Sequence, residues 1–305
     1  MEALLTQNGH PLNEILRTHA RWVEGETTAA RCVLDRETLN DAKLAKVNLH
    51  ASIVRGTSFL DAEMAGADFS KAEINSSDFG RSVLSAADFS GSQISDCQFC
   101  NAWLTGAVFS DAKVRGSIFQ RASLREARFQ GVLIEGGQFQ SASLQAASFQ
   151  HARVSTSDFS ESDFSDAQFH RAQFRSSRFR SAKGAGANFG GSLLKTCDFS
   201  MADMPRAKFF QSDLSGSVFD RATLTDVDFR KAQLGSVDFS RASLCNASFA
   251  EAKLFAADFR AADLTGAKGL TSAQLCQART DEITILPNGS RGPYRKLSGA
   301  ERPKL

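Results

Sequence analysis

The stretch 67–99, ADFSKAEINSSDFGRSVLSAADFSGSQISDCQF, places Phe69, Phe79, Phe89 and Phe99 at equal intervals, with Ile74, Leu84 and Ile94 midway between them. A large apolar side chain therefore falls on every fifth residue. The frame runs far beyond this stretch. From Leu34 to Leu264 every position whose number ends in 4 or 9 is Leu, Ile, Val, Met or Phe, with Gly184 as the single exception. Every position ending in 9 from Phe59 to Phe259 is Phe, which uses (259 − 59)/10 + 1 = 21 of the chain's 25 Phe and marks Phe as a core residue here. The residue two before each centre is almost always small, as at Ala62, Ala67, Ala72, Ser77 and Ser82.

A five-residue period excludes the common elements. In an α-helix, five residues advance about 500°, so successive centres would scatter around the axis instead of lining one stripe. In a flat strand they would alternate between faces, along a strand far longer than the usual 3–10 residues. The remaining solution is a chain that turns a corner every five residues and always points the centre inward. Such internal periodicity is the signature of a solenoid.

The units ADFSK, ADLTG and ADFSG resemble the pentapeptide-repeat family, and the resemblance covers residues 32–268. It implies an all-β solenoid, a right-handed four-sided β-helix with four pentapeptides per coil and about twelve coils, with short helical caps at both ends. Phe would occupy two opposite walls, and the aliphatic centres the other two. The expected core includes Phe59, Phe69, Phe79, Phe89, Phe99 and Phe139, with Phe164 leaning into the space left by Gly184. Positions one coil apart in sequence become neighbours on adjacent coils. Opposite charges then form columns at Asp158/Arg178/Asp198, Asp163/Lys183 and Lys208/Asp228, whereas Asp68/Asp88 and Asp238/Asp258 juxtapose like charges.

The expected organisation is an N-terminal helical cap over 1–30, the β-helix over 31–268, a C-terminal cap helix with its extension over 269–286, and a disordered tail over 287–305. Residues 11–26 show one apolar helix face, Leu12, Ile15, Leu16, His19, Trp22 and Val23, with Pro11 in the first turn. Thr271 and Gln274 make a capping box. The tail is rich in breakers and poor in apolar residues.

With 36 basic and 34 acidic residues the net charge is +2, which announces neither direct nucleic-acid binding nor a strongly acidic surface. No stretch reaches the roughly 20 apolar residues of a membrane span, and residues 1–10 lack the basic start and apolar core of a signal peptide. Unpaired Cys on a large core suits a reducing cytoplasm. Cys97 and Cys100 fall one inward and one outward, which disfavours a metal or redox motif. The five His show no metal-ligand spacing, and no nucleotide-binding loop or nucleophile elbow occurs. These features point away from an enzyme, a cofactor or a bound metal.

Function is therefore expected on the outer walls, as a non-catalytic scaffold for another protein. The wall with centres 34, 54, 74 and onward carries about +3 over its outward columns, together with outward apolar residues. Its candidate contact residues are Ile53, Lys113, Arg115, Leu133, Arg153, Arg175, Leu193 and Lys195. A second candidate patch is Val83, Trp103 and Val108. Acidic residues at 158–166 and basic ones at 171–183 form adjacent coils that mostly satisfy each other. The resemblance implies two further roles. One is mimicry of DNA toward gyrase or topoisomerase IV, which needs a strongly negative surface that this chain lacks. The other is action as a secreted effector at host membranes, which an appended domain or a membrane span would favour and which neither favours here.

Overall fold

The computed structural model describes residues 11–303. They fall into two compact units, one ending at Ser148 and one beginning at Phe149. Residues 1–10, assigned above to the N-terminal cap, and residues 304–305 lie outside the described part. Each unit is a parallel β-solenoid with four walls.

In the first unit, the strand-forming wall holds β1 (Val33–Asp35), β2 (Ile53–Arg55), β3 (Glu73–Asn75), β4 (Gln93–Ser95), β5 (Lys113–Arg115) and β6 (Leu133–Glu135). Adjacent strands pair in parallel at one fixed offset, that of Val33 with Ile53 and of Lys113 with Leu133. The other three walls keep the same offset through single bridges, such as Ser58 with Asp78, Val83 with Trp103 and Asp88 with Val108. The offset equals four five-residue units, as the sequence frame requires. The parallel ladder is evenly spaced: the Phe59 amide donates to the Asp78 carbonyl at 2.7 Å and the Asp78 amide to the Thr57 carbonyl at 3.0 Å.

Each corner has a physical rationale in the five-residue unit. The second residue after the centre takes the left-handed conformation, as Asp41 does at φ 55° and Asp61 at φ 57°. Ala42 then donates back to Leu39 and Ala62 to Phe59, closing a turn whose third residue needs positive φ. The small residue that follows must fit inside the corner, and Ala62, Ala67 and Ala72 are fully buried. Ser can substitute there with its hydroxyl satisfied, as Ser82 and Ser92 donate to the carbonyls of Phe79 and Phe89, whereas the buried Ser52 hydroxyl completes no hydrogen bond among the described residues. The Asp before the centre also has a local task. Asp68, Asp88 and Asp78 accept the amide two residues ahead at 2.8 Å, the side-chain mimic of a turn.

The Phe form two stacks in this unit. Centroids of Phe59, Phe79, Phe99, Phe119 and Phe139 follow at 4.9, 4.8, 4.7 and 4.7 Å with rings within 12° of parallel. The second stack, Phe69, Phe89, Phe109 and Phe129, meets the first edge-on, as at Phe69–Phe79. Stacked and edge-to-face contacts both add to area burial, so the two Phe walls zip together along the interior.

Helix α1 (Leu12–Val23) caps this unit, with Pro11 as its N-cap and so one position earlier than the first turn. Leu12 and His19 are buried, whereas Ile15, Leu16 and Trp22 are partly covered and Val23 is exposed. His19 Nδ1 accepts the Cys32 amide at 3.0 Å, and its ring stacks on Trp22. Its Nε2 faces the His50 backbone and completes no hydrogen bond among the described residues. The helix is thus latched to the first coil through a neutral imidazole.

In the second unit, β7 (Arg153–Ser155), β8 (Gln173–Arg175) and β9 (Leu193–Lys195) pair with the same offset. Beyond Lys195 the equivalent wall has single bridges only, from Leu193 to Asp213, Gln233 and Lys253. Three-residue strands thus form nine times among the described residues, where the frame predicts about twelve coils. Phe again stack in two columns, for example Phe159, Phe179 and Phe199 at 5.0 and 4.6 Å.

The register slips at the C-terminal end. Asp258 pairs with Arg279 and Asp263 with Ile285, one and then two positions beyond the regular offset. The added residues accommodate α2 (Ser272–Gln277), which starts with the Thr271–Gln274 capping box. Gln274 also donates to the carbonyls of Phe249 and Ala252, satisfying the exposed edge of the coil beneath. Residues 287–303 are not a disordered tail. They fold back over this end: Ile285 and Arg291 form an antiparallel bridge, and Ala300 is buried. The Tyr294 amide donates to the Thr280 hydroxyl, and the Tyr294 hydroxyl donates to Glu301. Backbone and side-chain hydrogen bonds hold this segment where apolar content is low.

Candidate functional site

Outward residues on the strand-forming wall alternate with the buried centres, because successive side chains in a strand point to opposite faces. In the first unit this exposes Lys113, Arg115 and Leu133 and half-covers Ile53. Leu133 keeps 46% of its surface in a column otherwise taken here by Val33, Ile53, Glu73, Gln93 and Lys113. A shallow groove runs across β4–β6 between Lys113, Arg115, Leu133 and Glu135, floored by Val114. Arg115 and Glu135 pair at 3.1 Å, so one positive charge of this face is neutralised internally. Val83, Trp103 and Val108 sit on two neighbouring walls. Trp103 is 59% exposed and pairs in register with Val83, while Val108 pairs with Asp88.

In the second unit the equivalent face presents Arg153, Gln173 and Leu193 in one column and Ser155, Arg175 and Lys195 in the other. Arg153, Arg175, Leu193 and Lys195 are exposed. Lys195 reaches Asp213 in the following coil at 3.1 Å. Burial pushes the Asp213 carboxyl up, but hydrogen bonds from Ser215 and Lys195 outweigh this and hold it below the ordinary carboxylate value. Arg153 and Arg175 form no ion pair among the described residues.

The predicted charge columns are realised unevenly. Arg178 approaches Asp158 at 3.7 Å, but Asp198 is taken by Arg180 at 3.2 Å and Asp228 by Arg230 at 2.8 Å. His151 and His170, on adjacent coils, bring their rings to 6.2 Å in an edge-on contact. The Cys97 thiol is fully buried and pushed up to about 12 by burial, as is that of Cys32, so neither supplies a thiolate. All six Cys are unpaired. Among the described residues no group of three or more His, Cys, Asp or Glu could hold a metal ion, and no helix is long and apolar enough to cross a membrane.

The model of pentapeptide repeats matches in eight copies, some of them overlapping, between residues 42 and 268. A search of curated proteins finds no match. Among solved structures, similarity extends to QnrB1, a plasmid-mediated fluoroquinolone resistance protein, in a trypsin-treated form. That match has 14% identity and a TM-score of 0.29, covering 59% of this chain and 81% of that one. HetL of Nostoc sp. strain PCC 7120, a pentapeptide repeat protein involved in heterocyst differentiation regulation, matches at 22% identity and a TM-score of 0.20, covering 92% and 98%. A thylakoid-lumen pentapeptide repeat protein of Arabidopsis thaliana matches at 26% identity and a TM-score of 0.20, covering 35% and 81%. The five-residue frame, the fixed register between coils and the match over 42–268 agree: the chain belongs to the pentapeptide-repeat family.

Proposed function

We propose that the protein is a non-catalytic scaffold that binds another protein through the strand-forming wall of each unit. The observation that carries this reading is the exposure of Leu133 and Leu193 among cations, in columns whose other outward residues are mostly polar. Apolar side chains with Arg beside them are the usual make-up of interface centres. Lys113 and Arg115 flank Leu133, and Arg175 and Lys195 flank Leu193. The coil beneath each is rigid, because the centre of every strand is locked into the stacked core. A surface held in this way loses little conformational freedom on binding.

The test is a Leu133→Asp/Leu193→Asp variant used as bait in native extract beside the unaltered chain. Both positions face solvent, so stability should change by no more than about 0.5 kcal/mol, measured by urea unfolding. Captured partners should be lost. A Gln98→Asp/Thr223→Asp variant, altered on other walls, should retain them. Equal capture by the two variants would remove the strand-forming wall from the function.

A further inference from the structure

The chain carries no Asp or Glu between Asp166 and Asp198, while Arg171, Arg175, Arg178, Arg180, Lys183 and Lys195 fall inside that run. The fold divides these cations between walls. Arg178 and Arg180 turn to the wall beside Asp158 and Asp198 and are paired there. Arg171 and Arg175 turn the other way, Arg171 to the corner before β8 and Arg175 to its outward face. Arg153 lies one coil earlier on the same face, in the Gln173 column. Arg153, Arg171 and Arg175 are exposed and have no ion pair among the described residues. Within this unit the columns of Arg153 and Arg175 hold one acidic residue, Asp213, and Lys195 already pairs with it. Lys113 and Arg115 of the first unit are arranged differently, since Glu135 neutralises Arg115 on that face.

We propose that this face of β7–β9 docks an acidic, extended segment of a partner protein, with an apolar side chain of that segment resting on Leu193. This rests on the reading that the strand-forming wall meets another protein. On this face the three cations left without an ion pair are all Arg, whose planar fork matches a carboxylate through two parallel hydrogen bonds. They are spread over two coils, so each meets its own monoanionic carboxylate instead of converging on one phosphate. Leu193, 39% exposed at the edge of the cluster, asks for an apolar neighbour. No Trp, Tyr or Phe is exposed on β7–β9 beside the arginines, and Phe255, 72% exposed in the Arg175–Lys195 column, lies three coils beyond Lys195, so the cluster lacks the adjoining stacking platform used for single strands.

The probe is a fluorescein-labelled eight-residue peptide of Glu with Leu at its third and sixth positions, titrated by anisotropy at physiological salt. An eight-nucleotide oligothymidylate of comparable charge is run beside it. The unaltered chain should bind the peptide, and Arg153→Glu/Arg175→Glu should raise Kd at least tenfold, while Lys183→Glu, on the opposite wall, leaves it within twofold. No binding of the peptide by the unaltered chain, an unchanged Kd in the double variant, or an oligothymidylate bound as tightly as the peptide would each overturn the proposal. Should the Glu variant melt early, Arg153→Gln/Arg175→Gln is held to the same tenfold criterion. Partner capture separates the two readings. Capture lost in Leu133→Asp/Leu193→Asp but kept in Arg153→Glu/Arg175→Glu would preserve the wall as an interface and refute the acidic segment.

Discussion

Two parts of the core solve the same packing problem in different ways. Around Phe109 the interior is periodic: its ring lies 4.8 Å from Phe89 and 4.8 Å from Phe129, nearly parallel to both. Around Phe164 the period is broken. The centre one coil later is Gly184, and a Cβ built there would stand 2.1 Å from Phe164 Cε2. The Phe164 ring therefore occupies the place of the missing side chain, edge-on to Phe169, Phe179 and Phe189 at 5.5, 5.6 and 6.0 Å. One region keeps density by repetition and the other by exchange of volume between adjacent coils. Local composition can thus drift as long as the interior stays filled.

The largest expected effect breaks the periodic side of this comparison. Phe109→Ala removes a ring from the middle of a stack and should cost about 3–5 kcal/mol in urea unfolding, since neighbours held by their own coils cannot collapse into the gap. A cost below that of a surface substitution would show that the stack is not the source of rigidity.

The exchanged region gives a reciprocal test. Gly184→Leu alone drives a side chain into the Phe164 ring and should cost about 1–3 kcal/mol or more. Phe164→Leu in the same chain restores the Leu-on-Leu pattern and should recover most of that loss. The readout is the coupling energy of the double-mutant cycle, which should be favourable and of order ~1 kcal/mol. Additive effects would mean that the two positions are independent.

The smallest effect separates the capped end from the coils. Burial lowers the His19 pKa from its ordinary 6.5, reinforced by the charges of His50 and Arg31 and opposed by the His50 carbonyl and by Asp68. A folded value below the unfolded one means that unfolding takes up a proton. The contribution of the latch is therefore complete above 6.5 and declines as pH falls from 6.5 toward the lowered value. Protonated Nδ1 can no longer accept the Cys32 amide. The protection factor of the Cys32 amide, corrected for the intrinsic exchange rate, should fall below pH 6.5 while that of Phe109 does not. His19→Asn, whose amide oxygen can take the same hydrogen bond without titrating, should flatten the dependence. An unchanged slope in that variant would place the acid response elsewhere.

The fold was legible because one signal, an apolar residue every five positions, repeats from Leu34 to Leu264 without an insertion. Even the Phe164–Gly184 exchange can be traced by counting one coil along the chain. The ordered segment 287–303 could not be seen, since hydrogen bonds such as Tyr294 to Glu301 leave no periodic mark and its composition is that of a loose tail. The surfaces were half legible. Counting assigns Leu133, Arg153 and Leu193 to one wall, but whether a cation is paired depends on side-chain reach. Arg180 thus takes the Asp198 that the columns had allotted to Arg178.

The slip in register at Asp258 and Asp263 has a consequence for length. A helical thread can lengthen indefinitely while each new turn copies the phase of the last. Here the last turn is out of phase, and its Ile285 is met by Arg291 running in the opposite direction. A further full turn added after Pro287 would find no matching template. One inserted before Lys268 would inherit the phase intact, so the terminus works as a stop and the interior as a ruler that can be extended.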